Sequence, residues 1–385
     1  MNEQTVLISG AGVAGPTLAY WLARSGFRPT VVERAAALRS SGSPVDVRHR
    51  AAEIAGRMGI MPRLREASTD VTALKFVNDA GKRVGRVGMG ALGNGSDEVE
   101  LPRNDLASIL YKATRNDSEF VFHDSITSLT PDAGGVDVTF ERGAPRRFDL
   151  VIGADGLHSG VRGLVFGPER GFVEHMGVYV ATLPLPDPPA DRTEIVMYNS
   201  PGRAVAVHPS RGHGIAAFMF RGKVMPGFDH RDTAQHKRML ADAYAGAGWR
   251  VPELLDQVRE ADDLYFDSVS RVRMDSWTRG RIALLGDAAS CVSLFGDGSS
   301  LAMTGAFTLA ESLAAAGHET AFRRYEATHR KLVEPKQRGV PAAAALLIPA
   351  TRRGIAARNL GTRLLPLVTA AQRLTSSRRT PATQR

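Results

Sequence analysis

The chain is 385 residues long, 43% hydrophobic and 23% charged, with a formal net charge of +9. That length exceeds one ordinary domain, and that balance excludes a disordered or fibrous polypeptide. One cysteine, Cys291, excludes an intramolecular disulfide, and no apolar stretch reaches membrane-spanning length.

Thr5-Val6-Leu7-Ile8-Ser9 is an apolar, β-rich run that predicts a buried strand rather than a secretory signal, so a cytoplasmic protein is expected. Gly10-Ala11-Gly12-Val13-Ala14-Gly15 follows, with glycines at i, i+2 and i+5, and Thr17 to Ala23 then has helical spacing. Pro16 suits a first helical turn, where its missing N–H costs little. A strand, a tight turn and a helix N-terminus place backbone N–H groups and the positive end of a helix dipole beneath a pyrophosphate. Thr30 to Arg34 predicts a second strand carrying Glu33, 23 residues beyond Gly10, where a carboxylate accepts hydrogen bonds from an adenosine ribose. A helix is expected near Ala51 to Met58, a hairpin with glycine-rich connections over Ala73 to Val99, and a helix over Asp105 to Arg115.

Phe148 to Ile152 predicts another buried strand, running into Gly153-Ala154-Asp155-Gly156, and Arg281 to Leu285 a third, running into Gly286-Asp287-Ala288-Ala289. Each sets an Asp at a strand's carboxyl end, where ligands bind in open α/β sheets, and Asp287 suits a ribityl hydroxyl. Gly296-Asp297-Gly298-Ser299-Ser300 leads into a helix over Leu301 to Ala315, whose N-terminus would aim partial positive charge at a flavin ring. Glu33 alone does not separate NAD from FAD. The three motifs in this order indicate one long dinucleotide across a doubly wound domain, read as FAD. No second GxGxxG follows a strand, and no metal-ligating set is expected.

From Phe172 to about Ser270 the pattern changes to strands separated by Pro and Gly turns, which predicts a mostly antiparallel sheet, followed by helices over Gln235 to Ala247 and Val251 to Ala261. The expected organisation is α/β. It has a Rossmann-like FAD-binding domain over 1–171 returning at 273–332, a β-sheet substrate domain over 172–272, and C-terminal amphipathic helices with a basic tail over 333–385. On or beside the candidate sheet strands, His208 and His213 are candidate bases near neutral pH. Tyr179, Tyr198 and Arg203 are candidates to orient an oxygenated substrate. Eight arginines and no acids lie between Thr351 and Arg385. Arg352, Arg353, Arg358, Arg363 and Arg373 interleave with apolar residues, predicting helices broken at Pro366. A helix packed back on the protein is favoured over a membrane-surface helix or an anion-binding tail. Without aromatic interleaving the charge does not indicate nucleic acid.

These motifs resemble those of the class A flavoprotein monooxygenases, the p-hydroxybenzoate hydroxylase-like family that includes the tetracycline-inactivating monooxygenases, over roughly Thr5 to Leu332. Glu100-Leu101-Pro102-Arg103-Asn104-Asp105-Leu106 is similar to the family segment whose arginine, here Arg103, contacts the cofactor. The resemblance implies adenosine contacts from Glu33 and Arg34 and a backbone contact near Ile126. It places the loop from Gly42 through Val45, Asp46 and Arg48 beside the isoalloxazine, which makes Arg48 a catalytic candidate near the ring or substrate, Asp155 between FAD and the reduced-nicotinamide route, and Asp287 on the ribityl chain. It implies that NADPH or NADH reduces FAD, that O2 adds to give a flavin 4a-hydroperoxide, and that an aromatic, phenolic or polycyclic small molecule is hydroxylated. A monomer or homodimer is expected, and the sequence does not choose between them. Ser290 stands where the family often has His, and Ser299-Ser300 replace the more usual apolar-Asn pair. A flavin-dependent reductase or dehydrogenase remains the alternative, as does non-redox use of FAD in a cyclase or binding protein. No Trp-x-Trp-x-Ile-Pro segment supports a halogenase.

Overall fold

The computed structural model describes residues 4–38, 44–92, 98–291 and 297–362. They divide into two compact units, Met1–Thr69 with Gly95–Val178 and Ser268–Ala343, and Asp70–Asn94 with Tyr179–Asp267 and Ala344–Arg385.

The first unit begins with β1 (Thr5–Ser9), α1 (Ala14–Arg24), β2 (Arg28–Glu33), β3 (Pro44–Val47) and α2 (Arg50–Arg57). β4 (Val99–Pro102), α3 (Arg103–Thr114), β5 (Glu119–Phe122), β6 (Leu150–Gly153) and α4 (Gly160–Phe166) follow. The return segment supplies β7 (Thr278–Arg279), β8 (Ile282–Leu284), α5 (Asp287–Ser290), α6 (Asp297–Ala315) and α7 (His318–Leu347), the last of which ends in the second unit. Six strands form one sheet in the order β7-β8-β6-β1-β2-β5. β8, β6, β1, β2 and β5 are parallel, and only β7 runs against its neighbour. Val6, Leu7, Ile8, Val151 and Ile152 are fully buried, as near-continuous apolar runs in a parallel sheet require when both faces are covered. α1 and α2 pack against α6. From β1 the chain first builds outward through β2 to β5, then returns to place β6 and β8 on the other side of β1. The switch point therefore falls between β1 and β6, where open α/β sheets bind ligands. The helices expected within residues 17–23, 51–58, 105–115, 235–247, 251–261 and 301–315 appear within a few residues of those bounds.

The second unit holds most of a seven-stranded sheet ordered Tyr265–Val272, Val173–Leu185, Gly214–Arg221, Arg203–Pro209, Glu194–Ser200, Ala73–Val77 and Arg83–Gly88. Arg203–Pro209 pairs antiparallel with both neighbours, whereas Glu194–Ser200 runs parallel to Ala73–Val77. An apolar cluster including Tyr179, Phe218, Phe220, Tyr244 and Phe266 fills its core. Residues 352–362 are helical. Arg358 is buried there, with its guanidinium 3.8 Å from the Phe76 ring centroid and Nη1 donating to Asn199 Oδ1 at 2.9 Å. This is the packed-back helix that the arginine pattern favoured. Arg363, Arg373 and the polar tail lie outside the described residues, as do Gly42, Ser43 and Gly296.

Candidate cofactor site

All three glycine motifs end adjacent parallel strands, and the chain packs them on one another. Gly10 adopts φ +106°, and a Cβ there would meet Ala154 O at 2.5 Å. Ala154 N–H donates to Ser9 O at 2.8 Å, which locks the first motif to the second. A Cβ on Gly15 would sit 2.0 Å from Gly10 O, so the third glycine is needed to close the turn. Gly286, at φ +63°, would carry a Cβ 3.2 Å from the Ala14 methyl, which sets the third motif against the first.

Gly12 is different: a Cβ there would meet nothing within 4 Å. Packing within the chain does not demand that glycine, so its smooth surface is left for an approaching group. Val13, the residue preceding α1, makes no side-chain cap, and no acidic residue lies in the first turn. The first N–H groups of a helix without such a cap suit an anion. Glu33 is fixed at the edge of this cradle, where Oε2 accepts from Ala11 N–H and Oε1 from Ala35 N–H, each at 2.9 Å. Arg34 beside it is exposed. The donors, the open glycine and the held carboxylate fit a dinucleotide pyrophosphate with its adenosine ribose.

Two segments read separately in the sequence are neighbouring strands. β3 pairs antiparallel with β4, with Pro44 opposite Pro102, Val45 opposite Leu101 and Asp46 opposite Glu100. Exposed Arg103 follows directly as the first residue of α3. The α6 N-terminus joins the same edge, because Ser300 Oγ accepts from Arg48 N–H at 3.0 Å and donates to Asp46 O at 2.9 Å. Gly298 is half-buried and Ser299 buried in that first turn. Ser300 thus uses its hydroxyl to join the loop to the helix. Arg48 Nη2 lies 3.0 Å from Asp46 Oδ1, and its Nε lies 3.9 Å from Glu98 Oε2. His49, in a left-handed backbone at φ 49°, is held by the same Glu98 at 2.8 Å. The sequence reading missed Glu98, which lies beyond the motif that carries Arg103.

Asp155 is half-buried and its carboxylate is committed to its own loop. It accepts from Ser159 Oγ and from Val161 N–H at the start of α4. Burial raises its pKa against those donors and the Arg162 charge. Arg162 itself, fully buried, donates from Nη1 to Ala288 O at 3.0 Å and from Nη2 to Leu157 O at 2.6 Å. It ties the second motif to the third. The sequence motifs do not reach this arginine, although a lone cation in the apolar run Gly160–Phe166 is a signal. Asp287 opens α5 and is half-buried. Ile126 begins the strand Ile126–Pro131 of a separate three-stranded sheet.

Over residues 3–334 the chain matches the family described as FAD binding domain. A flavin-dependent monooxygenase of Legionella longbeachae is 38% identical over 339 residues, covering 86% of this chain and 87% of that one. The chain belongs to the class A flavoprotein monooxygenases of this family. The crystal structure of the tetracycline destructase Tet(51) is similar with a TM-score of 0.82 and 31% identity, covering 95% of this chain and 97% of that one. Klebsiella pneumoniae HpxO, solved with FAD and uric acid, shares the fold at a TM-score of 0.73 and 21% identity, over 94% and 92% of the two chains. FAD is the cofactor of this monooxygenase, and NADPH or NADH its reductant.

Among the candidates in the second unit, the monooxygenase places Tyr179 and Tyr198 in buried positions with their hydroxyls already bonded. Tyr179 Oη donates to Lys223 O at 3.1 Å, and Tyr198 Oη donates to Asp79 Oδ1 at 2.6 Å. His208 is buried on its strand, Arg203 is half-buried at the start of the same strand, and His213 lies in the following turn. Cys291 is buried, as a small packed residue should be.

Burial pushes the Asp46 carboxyl from 3.8 up to about 6, opposed by Arg48 and reinforced by Glu100 and Asp297. The folded chain therefore holds this proton more tightly than the unfolded chain. The stabilisation is complete below the unfolded pKa and is lost as pH rises to the folded one, by about 3 kcal/mol. Measured by denaturant unfolding, the stability of wild type relative to D46N should fall by that amount between about pH 4 and pH 7. A difference that stays flat across this window would show that Asp46 titrates normally.

Proposed function

We propose that this monooxygenase hydroxylates an aromatic, phenolic or polycyclic small molecule, one atom of O2 entering the substrate and the other leaving as water at the expense of one NADPH or NADH. The observation that carries the cofactor half is the convergence of Gly10–Gly15, Gly153–Gly156 and Gly286–Asp287 on the switch point of one parallel sheet. For the substrate half, the support is the 31% identity with a tetracycline destructase over nearly the whole chain. When bound, FAD supplies electron storage and oxygen activation, by the 4a-hydroperoxide route in this reading.

The chain's own residues bind and orient. In this proposal the backbone of Gly10, Gly12, Val13, Ala14 and Gly15 takes the pyrophosphate, Glu33 and Arg34 the adenosine, and Ile126 a backbone contact. Arg103, Gly286 and Asp287 take the pyrophosphate and ribityl region, and Asp155 borders the nicotinamide approach. Val45, Asp46 and Arg48 border the ring together with Gly298, Ser299 and Ser300. The α6 N-terminus would favour negative charge on the ring. Arg203, Tyr179 and Tyr198 would shape or orient the substrate end, and His208 or His213 would accept a phenolic proton where the substrate needs a base.

Stopped-flow flavin absorbance tests this reading. NADPH or NADH should bleach the flavin anaerobically, faster in the presence of an effective phenol or polyketide-like aromatic, and mixing with O2 should give a transient before the oxidised spectrum returns. Flavin that dithionite reduces but neither nicotinamide does would favour a non-redox role. Reduction that no aromatic accelerates, with O2 returned only as peroxide, would favour a plain reductase.

A further inference from the structure

Away from the cofactor cradle, the first unit carries a surface pocket of about 520 Å³ whose lining includes Trp21, Arg24, Arg57, Phe307, Glu311 and Arg324. It lies at the C-terminal end of α1, about 15 Å along that helix from the Gly10–Gly15 loop, and beside the second half of α6. Its chemistry is one-sided. Arg24, Arg57 and Arg324 are exposed, and among the described residues no carboxylate lies within ion-pair distance of any of them. Glu311 is the acid in the lining, 3.8 Å from Arg50 outside it. The Trp21 indole N–H is buried and finds no acceptor among the described residues. Buried donors of this kind are ordinarily satisfied, so an unsatisfied one needs an explanation. Ser25 Oγ already donates to Trp21 O at 3.0 Å.

The apolar part of the lining is aromatic. Trp21 and Phe307 meet edge to face, with centroids 4.8 Å apart. The Arg57 guanidinium lies 4.4 Å from the Phe307 centroid and 5.0 Å from that of Trp21. Arg57 is thus held by ring faces, with its N–H donors not engaged by a carboxylate. Arg24 in the last turn of α1 answers that helix's dipole in part, which leaves Arg57 and Arg324 as the cations in excess. A ligand for this pocket must offer acceptors and negative charge to the guanidinium donors, and a flat face to the rings. Planar guanidinium forks match a carboxylate bidentately.

We propose that this pocket is a second ligand site, separate from the flavin and substrate sites, and that it takes a planar aromatic carboxylate. Isothermal titration of the FAD-loaded protein with 1-naphthoate, 1-naphthylmethanol and inorganic phosphate tests it. Saturable binding of 1-naphthoate should weaken at least about tenfold in the double variant R57Q/R324Q, since charge-assisted hydrogen bonds are lost. The neutral alcohol should not saturate, and phosphate should not displace the naphthoate at equal concentration. R324Q alone should also weaken binding. It removes no hydrogen bond, ion pair or ring contact among the described residues, and its melting temperature and bound FAD should match wild type. Affinity unchanged in both variants would assign the binding to another site, the substrate cavity included, and overturn the proposal. So would an alcohol that binds as tightly, phosphate that competes equally, or no binding up to roughly 10 mM, where an interaction supplies under 3 kcal/mol.

Discussion

Gly12→Ala should leave the apoprotein's melting temperature at the wild-type value while weakening FAD at least tenfold, and Gly15→Ala should damage both. The two glycines sit three residues apart in one turn but face different things. The added methyl of G12A enters open space, and its backbone needs no left-handed conformation, so the folded chain has nothing to lose. Any penalty must arise against the cofactor, where a tenfold loss corresponds to about 1.4 kcal/mol. In G15A the methyl arrives 2.0 Å from Gly10 O. That is a backbone atom with no rotamer to change, so the turn itself must move, at about 1–3 kcal/mol of stability or more. The Gly10 N–H to Val32 O bond at 2.7 Å ties this turn to β2, and displacement there should reach Glu33 as well. Flavin content by absorbance and apoprotein melting by circular dichroism separate the two. G12A protein that melts lower yet binds FAD normally would reverse the argument.

Arg162→Met should cost about 2–5 kcal/mol and empty the flavin site, although this arginine is not assigned to the cofactor. Its side chain is fully buried, and it satisfies Leu157 O after the second motif and Ala288 O within the third. Methionine fills similar space but orphans both carbonyls, each worth about 1–3 kcal/mol when left unpaired. The ion pair with Glu169 at 3.3 Å adds less, because that carboxylate is 42% exposed. Burial already lowers the Arg162 pKa, so the guanidinium is held for its hydrogen-bond geometry against a desolvation cost. R162K should recover only part of the loss, since one ammonium does not reproduce the planar fork that spans two carbonyls. Denaturant unfolding and the ratio of flavin to protein absorbance would read both effects. R162M with unchanged unfolding and full flavin would show that the two motifs do not need this tie.

The way these two sites could be read differs, and the difference follows from the range of the forces involved. Gly10, Gly12, Gly15, Glu33 and the strands around them were legible because their requirements are local. A parallel strand buried on both faces must be continuously apolar, and a tight turn into a helix must lack side chains. Arg162 was visible only as a charge in an apolar run. Its partners lie 5 and 126 residues away, and no local pattern names them. Glu98 was invisible for the same reason, since its partners Arg48 and His49 come from another strand edge.

The sequence by itself determined that FAD is bound and where the glycine turn, Glu33 and the two later aspartates fall along the chain. It also indicated a doubly wound α/β core and a separate sheet of mostly antiparallel strands, because hydrophobic period and turn chemistry are written residue by residue. Only the tertiary structure decided which segments become neighbours. β3 and β4 pair so that Asp46 faces Glu100, Ser300 joins that loop to α6, and Ala73–Val77 pairs in parallel with Glu194–Ser200. Such pairings are chosen by burial and backbone hydrogen bonding between strands distant in the chain. Several edges would satisfy one strand's pattern equally well, so the choice exists only once the whole chain has closed its core.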